Sequence, residues 1–165
     1  MRFTVEHVFN GITLKDYEQL YFNEDFNVAL CKAVNLDRAL VRRDDDGKKV
    51  VRHVKVAPRG RDIPGPVAKV LGSDRIEYTE QIDYVWGANQ GVWVSVSSLL
   101  TDKVDSRGTF RFVEVPGGVK RVVDGEIKVK IFGVGGMIEK FICMDVEKSY
   151  DAAAEFTRKW LAEKR

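Results

Sequence analysis

The sequence predicts an α+β fold: a curved antiparallel β-sheet wrapped around one long C-terminal helix, with two short helices after the first strand. Three observations predict it. From Gly136 to Lys164, apolar residues such as Ile138, Phe141, Ile142, Val146 and Tyr150 recur on one face of a helix, out to Phe156, Trp160 and Leu161. The rest of the chain is mostly short runs with β-like alternation, separated by tight-turn residues. Successive strands with short links pair as antiparallel neighbours, and a single amphipathic helix has to bury its stripe against such a sheet.

The elements follow in order. Arg2 to Phe9 alternates, with Phe3, Val5 and His7 on one face, and Asn10-Gly11 ends the run. Thr13 followed by Asp16 resembles a capping box for a short helix from Leu14 to about Phe22. Asn23 can cap a second helix carrying Phe26, Ala29, Leu30 and Ala33. Val34 to Arg43 and Lys48 to Ala57 bracket Asp44-Asp-Asp-Gly47, a hairpin signal rather than a calcium loop, whose spaced ligands and closing Glu it lacks. Pro58 to Gly72 is irregular, with one or two helical turns from Pro66 to Gly72. Arg75 to Trp86 and Val92 to Leu100 form a strand pair. Ile76, Tyr78, Ile82, Tyr84 and Trp86 share a face that only Glu80 interrupts; on the partner, Val92, Val94 and Val96 lie opposite Trp93, Ser95 and Ser97. Gly108 to Val115 and Val119 to Val123 flank Pro116-Gly-Gly118. Asp124-Gly125 reads as a bulge or turn before a last strand from Ile127 to Phe132.

The 165 residues are enough for one domain, 1–165, with a real core. Net charge is +2, with 27 Lys and Arg against 25 Asp and Glu, so no global field recruits nucleic acid. There is no apolar signal core at the N-terminus and no run near the ~20 apolar residues of a membrane span, so the expected compartment is the cytoplasm. Cys31 and Cys143 sit in apolar helical patterns and read as small buried hydrophobes, a disulfide between them depending on a proximity that spacing does not reveal. Two histidines are too few for a His-rich metal site; neither metal nor cofactor is expected.

Gly133-Val-Gly-Gly136 at a strand-to-helix junction suggests a phosphate loop. The dinucleotide spacing, however, puts Ile138 where its third glycine belongs, and the Walker lysine is missing. The glycines read instead as a device for a sharp turn and close helix–sheet approach.

The order of elements resembles the helix-grip fold of the START-like (SRPBCC) superfamily, which includes polyketide cyclases, pathogenesis-related plant proteins and lipid-transfer START domains. The stretch Val123-Asp-Gly-Glu-Ile-Lys-Val-Lys-Ile-Phe-Gly-Val-Gly-Gly-Met-Ile-Glu-Lys140 is similar to a small branch of it with no known function. Phe3-Thr-Val-Glu-His, Asp62-Ile-Pro64 and Phe156-Thr-Arg-Lys-Trp-Leu161 are similar too, so the resemblance spans essentially the whole chain. These are scaffold motifs. They imply an architecture, and with it a hydrophobic or amphipathic, lipid-like ligand held between sheet and helix.

On that fold, Tyr78, Glu80, Trp86, Trp93, Arg52, Ile138, Phe141 and Ile142 are the expected ligand-binding residues. Glu80 and Arg52 both fall on otherwise apolar strand faces, and a buried charge there needs a partner. Three function classes stay open. The first is a non-catalytic carrier or sensor. The second is a cyclase- or hydrolase-type enzyme using Glu80 as acid or base with Arg52, His53 or a tyrosine. The third is an interaction module whose core is filled by side chains. Arg59 and Arg61 form a small basic loop, read as solvated, and transient membrane contact stays open.

Overall fold

The computed structural model describes residues 1–73 and 75–164. Seven antiparallel strands form one sheet: β1 (Arg2–Asn10), β2 (Leu36–Asp45), β3 (Lys49–Pro58), β4 (Tyr78–Val85), β5 (Gln90–Ser97), β6 (Val104–Val115) and β7 (Gly118–Val129). Their spatial order is β1-β7-β6-β5-β4-β3-β2, so five of the six pairings are between neighbours in sequence, and only β1 crosses to reach β7. Between β1 and β2 lie helices α1 (Leu14–Tyr21) and α2 (Glu24–Ala33); α3 (Gly65–Leu71) follows β3, and α4 (Gly135–Glu163) closes the fold.

Local chemistry accounts for the ends of these elements. The Thr13 hydroxyl accepts from the Asp16 N–H at 3.2 Å, and Asn23 Oδ1 accepts from the Phe26 N–H at 2.8 Å, satisfying otherwise orphaned donors of α1 and α2. In the β2–β3 turn, Asp45 and Asp46 carboxylates accept backbone N–H groups of Gly47, Lys48 and Lys49 at 2.7–2.9 Å. Those carboxylates are engaged in shaping a hairpin, as the sequence indicates.

A row of paired residues crosses the whole sheet: Phe3, Gly125, Gly108, Trp93, Ile82, Arg52 and Arg43. The two glycines at its centre form a trough, because a Cβ at Gly125 would lie 2.4 Å from the Phe3 ring and 2.7 Å from Trp93. This corrects the reading of Asp124-Gly125 as a bulge or turn. Strand β7 runs unbroken through both residues, and Gly125 is there because two aromatic rings occupy the space above it. The strand also ends earlier than expected, at Val129 rather than Phe132.

Helix α4 spans 29 residues and starts hard against the end of β7: a Cβ at Gly135 would meet the Val129 carbonyl oxygen at 2.3 Å. Glu139 then reaches back to accept the Val129 N–H at 2.9 Å. Close approach accounts for Gly135, and the positive φ of 83° at Gly133 for the sharp turn before it. At the far end, Phe156 and Trp160 pack on Phe26 of α2, with ring centroids 6.0 and 5.4 Å apart. Cys31 and Cys143 are both buried and free, and burial pushes the Cys31 thiol up to about 11.

Candidate functional site

The inner face of the sheet is not filled throughout. One end is closed by aromatics from α1, its C-cap and the strands: Tyr21 stacks on Phe110 at 5.2 Å, Phe22 lies tilted against Tyr84 at 4.8 Å, and Tyr17 meets Phe112 edge-on at 5.0 Å. Beyond this plug lies a pocket of about 250 Å³, bounded by the sheet, α2, α4 and the segment carrying α3. Cavities of ~150 Å³ already hold a benzene-sized guest.

The pocket wall includes most of the residues expected from the sequence. Trp93, Tyr78, Glu80, Arg52, Ile138, Phe141 and Ile142 all line it, as does Tyr150. Trp86 does not. It shares the inward phase of β4 but sits past the aromatic plug, packed across Phe22 at 5.2 Å, with its indole N–H donating to Asp45 at 2.9 Å. Strand alternation tells which face a side chain takes, not how far along the sheet the hollow extends. His53 is also absent from the wall, since it alternates with Arg52 and Val54 and so lies on the outer face. On β5 the inward set is Trp93, Ser95 and Ser97, while Val92 and Val94 are exposed on the outside.

Arg52 is buried, and its guanidinium is 3.7 Å from the half-buried Glu80 carboxylate. It also donates to the Tyr21 carbonyl at 3.2 Å and lies 5.2 Å from the Phe22 ring centroid. Glu80 pairs across the sheet with Ser95, and Ser95 with Ser106, so a polar strip runs over three strands of an otherwise apolar wall.

Sequence reasoning missed the second buried arginine. Arg121 on β7 lies 5.1 Å from the Tyr150 ring centroid and 5.4 Å from that of Phe9, and it donates to His7 Nδ1 at 2.9 Å. The signal was present: Val119, Arg121, Val123, Gly125 and Ile127 share one phase, and a charge interrupts it as Arg52 and Glu80 interrupt theirs. Burial raises the phenols of Tyr17, Tyr21, Tyr78 and Tyr150 above their ordinary range, so at neutral pH these residues are donors and not phenolate bases. Arg59 and Arg61 are not simply solvated. Arg59 pairs with Asp37 at 3.0 Å; Arg61 pairs with Asp145 of α4 at 2.7 Å and donates to the Ser149 hydroxyl at 3.2 Å, tying the loop after β3 to the helix beside the pocket.

Among the described residues, no cluster of three His, Cys, Asp or Glu is placed to hold a metal. No helix among them is long and apolar enough to cross a membrane.

A seven-stranded antiparallel sheet curled against one long C-terminal helix is the helix-grip fold. The chain belongs to the family described as protein of unknown function DUF2505, which it matches over residues 4–161. Solved structures share the fold at low identity. TTHA0849 from Thermus thermophilus has a TM-score of 0.63 at 14% identity, over 94% of this chain and 96% of that one. The Zhui aromatase/cyclase from Streptomyces sp. R1128 gives 0.65 at 10% identity, over 96% and 93%. Ara h 8.0201 gives 0.60 at 11%, over 94% and 96%. No curated protein matches the chain in sequence.

Proposed function

We propose that this protein is a non-catalytic carrier or sensor that binds a hydrophobic or amphipathic small molecule between its sheet and α4. One observation carries the reading: an interior hollow of about 250 Å³ whose wall is mainly aliphatic and aromatic, with a few polar groups set into it. A wall of that composition suits a ligand with an apolar body and a small polar head. The hollow weighs against a surface-only interaction module with a filled core. The cyclase- or hydrolase-type alternative loses His53, which faces away, and keeps Glu80 and Arg52 as a pair 3.7 Å apart. Tyr78, Glu80, Trp93, Arg52, Ile138, Phe141 and Ile142 are the proposed ligand contacts.

The test is displacement of a neutral fluorescent apolar probe, aminoanthracene, from the wild-type protein and from Ile142→Trp, which fills the hollow from α4. Saturable binding by wild type and its loss in a variant with unchanged circular dichroism supports the reading. Equal binding by both places the probe elsewhere and overturns it. Glu80→Gln is expected to bind the probe as wild type does; an acid–base enzyme would instead show turnover of a substrate that this variant abolishes.

A further inference from the structure

The ionisable side chains of the pocket wall do not balance. Those charged at neutral pH are Arg38, Arg52, Arg121, Glu80 and Asp145, since burial keeps Cys31 and the four tyrosines of the wall neutral. Arg38 donates to Glu24 at 3.0 Å, Arg52 faces Glu80 at 3.7 Å, and Asp145 holds Arg61 at 2.7 Å. Arg121 is left over. It is 5% exposed, and among the described residues no carboxylate lies within ion-pair distance of it.

The surroundings of Arg121 are neutral. Phe9 and Tyr150 offer ring faces, and the Tyr17 phenol lies beside the guanidinium. An arginine can only donate, so His7 Nδ1 must accept, and the imidazole N–H is on Nε2, which meets Asp151 Oδ1 at 2.8 Å. His7 is thus the neutral tautomer. Asp151 stands beyond it with its carboxylate largely in water, where its charge is screened. A desolvated guanidinium without a counter-charge is expensive to keep.

A second observation points the same way. Among the described residues, three buried side-chain nitrogens lack an acceptor: Arg52 Nε, Trp93 Nε1 and Arg121 Nε. All three belong to residues of the pocket wall, and all three are donors. The complement of a wall with surplus donors and one uncompensated positive charge is a ligand that brings oxygen acceptors and one negative charge.

We infer that the pocket takes an amphipathic carboxylate, with Arg121 as the residue that pairs with its head group. The planar guanidinium matches a carboxylate in shape, and one unpaired positive charge matches a monoanion better than a dianionic phosphate. The apolar body then lies along Trp93, Phe141 and Ile142. This rests on the proposed carrier function and narrows its ligand class.

The experiment compares acid and alcohol of equal length by calorimetry at neutral pH: decanoate against decanol, and naphthylacetate against naphthylethanol. Wild type is expected to bind the acid of at least one pair about tenfold more tightly than its alcohol. Arg121→Met is expected to lose that preference while binding the alcohol as before. Arg121→Lys, which keeps the charge without the fork, should retain part of it and serves if the Met variant does not fold. Alcohols bound as tightly as acids by wild type overturn this inference and leave the carrier function standing. A preference that survives in Arg121→Met also overturns it. Binding of none of the four compounds overturns both.

Discussion

Gly125→Ala tests the physical basis of the sheet's inner face, because the sign of its effect depends on a single geometric claim. Gly125 lies in continuous strand with no positive φ, so alanine fits the backbone there. Without a steric obstacle, the substitution would stabilise the fold by about 0.4–1 kcal/mol by restricting the unfolded chain. The structure places an obstacle: the new methyl would sit 2.4 Å from Phe3 ring carbons and 2.7 Å from Trp93, about 1 Å inside ordinary contact. The rings must move, and one of them, Trp93, lines the pocket. Overpacking of this kind costs about 1–3 kcal/mol. In a chain of this size that lowers Tm by roughly 2–12 °C. Urea unfolding followed by circular dichroism measures the change, and Phe3→Leu in the same chain should recover part of it as a coupling energy. A Gly125→Ala variant as stable as wild type, or more stable, would refute the trough.

Three further perturbations have defined outcomes. Tyr84 donates to the buried Glu18 carboxylate and accepts from the Asn89 N–H at 2.9 Å, so Tyr84→Phe should cost about 1–3 kcal/mol in urea unfolding; a smaller loss would mean the bonds tying α1 to the β4–β5 turn matter little. Burial holds His7 below its ordinary value of 6.5, with Asp151 opposing and the Arg121 and Arg158 charges adding to the depression. The unfolded chain therefore takes up this proton first. The contribution is complete above that value and is lost as pH falls below 6.5 toward the folded value. His7→Asn, which offers an oxygen near the Nδ1 position, should flatten the dependence there, and an unchanged slope would exclude His7 as its source. Arg61→Ala cuts the loop's tie to Asp145 and Ser149, so amides of α3 should exchange faster by mass spectrometry while global stability changes by less than about 1 kcal/mol; unaltered exchange would show that the tie does not restrain the segment.

Much of the fold was legible because each element carries its own period. The stripe of α4 and the alternation around Tyr84 and Ile82 place the right faces inward. Gly125 was misread because a glycine needed for the space above a strand looks, in sequence, like one needed for a turn. Trp86 was misplaced because alternation carries no information about depth. Arg52 and Glu80 stood out as charges on apolar phases and do line the pocket together. Arg121 carries the same signal, but its strand was cut short at the supposed bulge, and the interruption passed unnoticed. The contributions of α2, including Asn27 and Cys31, required tertiary structure, since only docking beside α4 turns them toward the hollow.

The central claim is that the hollow between sheet and α4 takes a small molecule. Native mass spectrometry of the protein purified without detergent tests it most directly. The account predicts an added mass on the order of a drug-sized compound, released on denaturation and absent from Ile142→Trp. A bare-chain mass that stays unchanged when the acids and alcohols above are added would contradict it.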